Sequence, residues 1–414
     1  MTDCFTLSNG LKVYGEYLPG MRSATVGIWT KTGSVAESAA ENGMSHFLEH
    51  LFFKGTKNRN YRQIAQEIDN IGAQANAFTS KELTCYYIQS IDEKLPVALE
   101  ILLDMFCDSV FPEEEIEKEK GVILEEIAMS QDTPDDLLHD KLAETFFTGT
   151  ELSKTILGPA ENIRRFNRQN VLDYKQKHYY AENIIVAIAG KYEKEALRDQ
   201  LEKRLGGIAS RGAQQLFGPK EGWEPKKREL AIGKDIEQVN LGMGFPMYGF
   251  LDDRKYAGSI LCSILGGGMS SRLFQKVREE LGAAYSVYSF PAVYCSGGMM
   301  VVYAGTSPQK LERVREGVLA EIENIRKNGI TQEELENTKV QLCAGYVMGR
   351  ETSAAKMNAL GRTALLLGRP VGEEELLGKV QRITMPEIQQ AIEYIFDINK
   401  MSQVVVQPQT AGKA

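Results

Sequence analysis

The feature that most limits how this chain can fold is a passage that occurs twice. In the first half it reads Ile68-Asp69-Asn70-Ile71-Gly72-Ala73-Gln74-Ala75-Asn76-Ala77-Phe78. In the second it reads Arg278-Glu279-Glu280-Leu281-Gly282-Ala283-Ala284-Tyr285-Ser286-Val287-Tyr288. In both, the end of a helical pattern runs through a glycine into a strand pattern. The order of elements around the passage also repeats. Strand-like alternation opens the halves at 10–17 and 24–30, and again at 229–232 and 239–245. A further strand follows at 83–91 and 298–304, and helical patterns close the halves at 95–109 with 113–129 and 309–327 with 332–348. A repeat of this span predicts a duplicated α+β domain. The stretch 206–225 holds several glycines, two prolines and few periodic apolar residues, so it reads as a linker. The expected organisation is therefore a domain over 1–207, a linker over 208–225, a second domain over 226–414, and a frayed tail from Gln407 to Ala414.

Composition narrows the class. With 43% apolar and 25% charged residues in 414, the chain has the balance of a globular protein and the length to bury large cores without staples. Acidic residues outnumber basic ones 56 to 48, which speaks against a general phosphate-binding surface and hence against nucleic acid as partner. The longest apolar runs, such as 184–189, fall far short of the ~18 residues that span a bilayer, so no membrane insertion is expected. The start, Met1-Thr2-Asp3-Cys4, lacks the basic and apolar regions of a signal peptide and the Arg-rich character of a transit peptide. Six scattered cysteines, at 4, 85, 107, 262, 295 and 343, form no C-x-x-C pair, which disfavours cysteine zinc sites and fits free thiols in a reducing compartment. The expectation is a cytoplasmic protein.

Histidine is where the chemistry concentrates. The chain has only four, at 46, 50, 139 and 178, and two fall inside His46-Phe47-Leu48-Glu49-His50. On a helix, residues i and i+4 share a face, so both imidazoles can point at one ion, with Glu49 beside that face. Phe47, Leu48, Leu51, Phe52 and Phe53 make the segment apolar, which implies burial. The bland alternative is a pair of core histidines with a paired glutamate, but a buried glutamate between two histidines without ion or partner is costly. H-x-x-E-H is the inverse of the zincin H-E-x-x-H, and such a site needs a third protein ligand and an open position for water. Candidates lie in the acidic helix over 112–129, whose apolar stripe is Ile116, Ile123 and Ile127. Glu126 flanks that stripe, Glu125 points the opposite way, and Glu119 lies nearly in line with Glu126. Helical phase favours Glu126 and leaves Glu125 open. Glu113, Glu114, Glu117 and Glu125 read as a solvated face. His139 and His178 lack ligand spacing and read as structural.

These residues carry a resemblance to the pitrilysin family of metallopeptidases, in particular to the branch of the mitochondrial processing peptidase β-subunit and its bacterial relatives. It rests on the stretch 43–56 around His46 and His50, on Asn76-Ala77-Phe78-Thr79-Ser80, on 119–127, and in the second half on the glycine-rich 266–274 with Arg278 and Tyr285. The resemblance implies two homologous domains, each with a mostly antiparallel sheet packed against helices. It implies a third ligand about 76 residues after the second histidine, which selects Glu126, and a further active-site glutamate at Glu119. It implies one zinc ion per chain on His46, His50 and Glu126, with Glu49 as general base and Glu119 orienting a ligand or water. Tyr285 would hydrogen-bond the oxyanion, Arg278 would hold substrate carbonyls, and the strand around Asn76 and Ala77 would pair with an extended peptide. The implied function is a zinc endopeptidase cutting extended or unfolded peptides inside a closed chamber. The implied assembly is a homodimer, since single-chain members of the family have four such domains and this chain has two. Two readings compete: a non-catalytic binding or core subunit of the same fold, and a zinc hydrolase acting on something other than peptides.

Overall fold

Alternation along the strand Ser23–Thr30 lays out the first half of the molecule. Val26 and Ile28 enter one core, while Thr25, Gly27 and Trp29 face a helix on the other side of the sheet. The structure, a computed structural model, describes residues 2–409. It divides into two units, the first built from Met1–Ile127, Lys154–Leu216 and Val347–Gly372, the second from Ala128–Ser153, Phe217–Tyr346 and Glu373–Ala414.

The first unit holds strands β1 (Thr2–Thr6), β2 (Lys12–Tyr17), β3 (Ser23–Thr30), β4 (Gln74–Thr79), β5 (Thr84–Ile91) and β6 (Ile184–Gly190), in the sheet order β1-β2-β6-β3-β5-β4. Only β2 and β6 run parallel; every other pairing is antiparallel. The second unit holds β7 (Arg228–Lys234), β8 (Val239–Met247), β9 (Ser286–Tyr294), β10 (Gly297–Thr306) and β11 (Ser402–Pro408), in the order β7-β11-β8-β10-β9. Here too a single pair, β7 and β11, is parallel. Removing β1 makes the two orders identical, parallel pair included, so the repeat in sequence is a repeat of topology. Gly72 and Gly282 sit at φ 63° and 53° at the same point of the repeat, where a left-handed turn ends a helix ahead of β4 and β9.

One face of the first sheet packs on Phe47, Leu48 and Leu51 of helix Met44–Leu51, on Leu99, Leu102 and Phe106 of helix Leu95–Asp108, and on Ile116 and Ile123 of helix Glu113–Asp132. The second sheet has its own core, with Ile260, Leu261 and Leu265 of helix Lys255–Gly266 against Leu241, Met243 and Phe245. No helix among the described residues is long and apolar enough to cross a membrane.

The two units are not the continuous halves 1–207 and 226–414. Helix Pro134–Phe146, from the first half, belongs to the second unit and packs on β8 and β11. Helix Ser353–Leu367, from the second half, belongs to the first unit and packs on β2, β3 and β6. The cause is the same in both cases. Each helix carries a stripe at i, i+4 and i+8, and each central strand offers a glycine beneath it. Leu138, Leu142 and Phe146 lie over Gly242 and Gly244, and Ser353, Met357 and Gly361 lie over Thr25, Gly27 and Trp29. An amphipathic stripe states that a helix needs a sheet and is silent on which sheet it meets. The stretch between helix Lys194–Leu205 and β7 has no regular element, as a linker should, but residues to Leu216 group with the first unit and those from Phe217 with the second. Gln407 and Pro408 close β11 instead of fraying. Residues 410–414 of that expected tail lie outside the described residues.

The approach of helix Ser353–Leu367 to β3 depends on Gly361, where an added Cβ would lie 2.3 Å from the Trp29 ring. Gly361→Leu should therefore lower stability by about 1–3 kcal/mol despite the better helix propensity of leucine. Urea unfolding followed by Trp fluorescence measures it, and an unchanged midpoint would contradict this packing.

Candidate metal centre

Helix Met44–Leu51 is short and presents its apolar side, Phe47, Leu48 and Leu51, to the core of the first unit. That fixes the opposite edge, where His46 and His50 lie one turn apart with ring centroids 4.6 Å from each other. Both side chains are mostly buried, at 14% and 18% exposure. Helix Glu113–Asp132 buries Ile116, Ile123 and Ile127, and this brings Glu126 toward the same point. Glu126 Oε2 lies 3.7 Å from His46 Nε2, and Oε1 lies 3.8 Å from His50 Nε2. Glu125 is exposed, and Glu126 is the carboxylate that groups with the two histidines.

One ligand atom from each of His46, His50 and Glu126 lies within 4.8 Å of the others. Separations of 3.7 and 3.8 Å are longer than hydrogen bonds, and they leave room for an ion bonded at ~2.0–2.1 Å to each donor. Two imidazoles and a carboxylate are the donor set of catalytic zinc sites. Glu119 completes the pattern from behind. Its Oε2 is 3.1 Å from His50 Nδ1, which turns His50 Nε2 toward Glu126, and Lys54 Nζ holds its other oxygen at 2.6 Å. A carboxylate on the far nitrogen of a ligating histidine fixes both tautomer and ring orientation. His46 Nδ1, by contrast, is buried and has no hydrogen-bond partner. The residues present fit a zinc ion.

Electrostatics treat the two imidazoles differently. Burial, reinforced by the neighbouring His50, pulls the His46 imidazole down to about 4, so the ring is neutral at pH 7. For His50 burial also favours the neutral ring, but the Glu119 hydrogen bond and the charges of Glu126 and Glu49 outweigh it and raise its pKa. For Glu119 burial works against ionisation, and His50 with Lys54 overcome it and hold the carboxyl low. Glu49 is raised by burial, partly offset by a hydrogen bond from Thr79 and by His50. A carboxylate raised toward neutrality and set beside a metal site can take up and release a proton.

Glu49 sits at the base of this group, its Oε2 accepting from Thr79 Oγ1 at 2.9 Å. Thr79 ends β4, the edge strand that also carries Asn76 and Ala77. Among the described residues β4 pairs only with β5, opposite Tyr87 and Tyr86 at those two residues, and the Asn76 side chain accepts from Ala77 N at 2.8 Å. The structure thus brings His46, His50, Glu49, Glu119 and Glu126 together on two helices. Sequence reasoning assigned nothing to Thr79 or Lys54. Lys54 lies within 43–56 and Thr79 within 76–80, and their partners, 65 and 30 residues away along the chain, had no local signal.

Arg278 and Tyr285 form a separate pair in the second unit. The Arg278 guanidinium lies 4.7 Å from the Phe274 ring and 5.9 Å from the Tyr285 ring, and Tyr285 is 81% exposed. In place of the metal motif, the second unit's equivalent helix, Lys255–Gly266, has no histidine. The glycine-rich stretch ends that helix, and Gly266 allows it to meet β9, since a Cβ there would lie 2.5 Å from Ser289 N. His139 packs between Phe290 and Tyr303, and His178 lies against Tyr174 with the rings tilted by 41° and its Nδ1 on Gln215.

Comparison with known proteins gives a consistent picture. Residues 12–160 match the family described as Insulinase (Peptidase family M16), and residues 165–342 match Peptidase M16 inactive domain. An uncharacterized zinc protease of Bacillus subtilis is 38% identical over 385 residues, 93% of each chain. One of Streptomyces coelicolor is 37% identical over 389 residues, 92% of this chain and 84% of the relative. Among solved structures, a protease from Helicobacter pylori superposes with a TM-score of 0.90 at 21% identity, covering 99% of both chains, which bears on the fold.

If Glu126 is the third ligand, Glu126→Gln should bind zinc at least ten-fold more weakly, while Glu125→Gln on the exposed side should bind as the parent does. Zinc titration against a chelating indicator separates the two, and equal affinities would return the ligand assignment to open competition.

Proposed function

Because the chain belongs to the M16 (insulinase, or pitrilysin) family of peptidases, we propose that it is a zinc-dependent endopeptidase acting on extended or unfolded peptides. The observation that carries this reading is the convergence of His46, His50 and Glu126, with Glu119 behind His50 and Glu49 beside the group. His46, His50 and Glu126 would hold one zinc ion per chain. A bound zinc ion supplies Lewis acidity, lowering the pKa of a ligated water toward ~7 and polarising a carbonyl oxygen. Glu49 takes the proton of the attacking water and passes it to the leaving amine, and Thr79 holds the carboxylate in place for both transfers. The free edge of β4 supports pairing with an extended peptide at Asn76 and Ala77, a contact that reads backbone and so prefers unfolded chains.

Arg278 and Tyr285 are assigned to substrate, Tyr285 as donor to the developing oxyanion and Arg278 as a clamp on carbonyl groups. The exposure of Tyr285 supports a role toward a second surface. In this reading two copies form a closed homodimer around a chamber, each giving its Arg278 and Tyr285 to the other's zinc. The scattered placing of the six cysteines, with no C-x-x-C pair, supports a reducing, cytoplasmic setting. A non-catalytic subunit would have no use for Glu49 once the ligands were kept, so the full set favours an enzyme.

Glu49→Gln should abolish cleavage of a mixed peptide pool while zinc stoichiometry stays at that of the parent. Zinc lost together with activity would move Glu49 among the ligands. The shared site has its own test. Dimers purified with one Glu49→Gln chain and one Tyr285→Phe chain should recover about half the parental activity if sites are completed in trans, because one site carries both lesions and the other none. No recovery, with each parent variant inactive, would show that each chain completes its own site.

A further inference from the structure

The metal helix is about two turns long, too short to hold its own conformation and rotation. Its first N–H groups need acceptors, and the residue in the N-cap position is Gly43, at φ 101°, which has no side chain to offer. No other residue fits there, because a Cβ would lie 2.6 Å from Leu157 O. The acceptors come from outside the helix. Glu37, just past the short turn Ser34–Ala36, is 2% exposed. Its Oε1 accepts from Ser45 N at 2.7 Å, and its Oε2 accepts from Gly43 N and from Asn42 Nδ2, both at 2.9 Å.

The loop that carries this carboxylate is tied down in turn. Asn162 Nδ2 donates to Ala39 O and Asn42 O, at 2.9 and 3.0 Å, and Asn42 Nδ2 donates to Thr155 O at 2.8 Å. Lys154 Nζ donates to the Glu37 carbonyl. Gly158 allows the close approach, since a Cβ there would lie 2.3 Å from Asn42 O. A carboxylate placed at a helix N-terminus meets both unpaired donors and the positive end of the dipole. One of those donors, Ser45 N, belongs to the residue before His46, so the cap acts directly on the backbone that carries the first ligand.

We propose that Glu37 is the positioning residue of the metal helix: a buried carboxylate that caps its N-terminus and sets the rotation at which His46 and His50 face Glu126. The proposal rests on the reading of these three residues as zinc ligands. Glu37→Gln keeps size and one acceptor oxygen but turns an amide N–H2 toward N–H donors. It should give a folded protein, judged by far-UV circular dichroism of the metal-free form, whose zinc affinity in chelator competition is at least ten-fold weaker than the parent's. If Glu37→Gln does not fold, Asn42→Ala, which removes a side-chain donor to Glu37, should weaken zinc about three-fold. A folded Glu37→Gln, or failing it a folded Asn42→Ala, with parental zinc affinity would overturn the proposal. A parent protein that binds no zinc would overturn the ligand reading instead.

Discussion

The hydrogen bond between Glu119 and His50 Nδ1 is the contact around which the candidate site is built. Without it the His50 ring could turn, and Glu126 would face one ordered imidazole instead of two. With it, Nε2 of His50 points at Glu126 across 3.8 Å, and Lys54 neutralises the far oxygen of Glu119. Three carboxylates and two imidazoles crowd one partly buried region, an arrangement whose like-charge repulsion and desolvation are costly for folding alone. A divalent cation relieves both at once. The cluster is therefore better understood as a site kept ready for an ion than as packing.

The same short helix serves three constraints. Its apolar face closes the core of the first unit, its N-terminus is capped by Glu37, and its remaining edge presents the histidines beside Glu49. Glu49 in turn is tied to β4 through Thr79, so the proposed base is fixed against the edge strand of the sheet. The duplication gives the second unit the same sheet without this chemistry. Lys255–Gly266 occupies the place of the metal helix with Ile260, Leu261 and Leu265 as pure core. The second unit carries instead the exposed Tyr285 beside Arg278.

Local chemistry was legible in the sequence, and long-range pairing was not. His46 and His50 declare a shared face by spacing alone. Phase within the helix separated Glu126 from Glu125 only as a preference, and the family resemblance selected it. Glu37 left no trace, because its contacts with the helix, at Gly43 N and Ser45 N, are to backbone N–H groups that any sequence supplies. The run 184–189 was notable only as too short for a membrane, yet it is β6, buried at every residue and parallel to β2. β11 was missed, with its last two residues assigned to an expected tail, for a similar reason: its meaning depends on β7, some 170 residues earlier. The exchange of helices Pro134–Phe146 and Ser353–Leu367 was equally hidden, since their stripes match Gly242 and Gly27 and not their neighbours in sequence.

The central claim is that two imidazoles and one carboxylate hold zinc and leave a position open. X-ray absorption at the zinc edge, on protein loaded with one equivalent, tests it most directly. The account predicts two histidine nitrogens and two oxygens, one from Glu126 and one from water, at ~2.0–2.2 Å. A shell containing sulfur, or one with four protein ligands and no water, would contradict it.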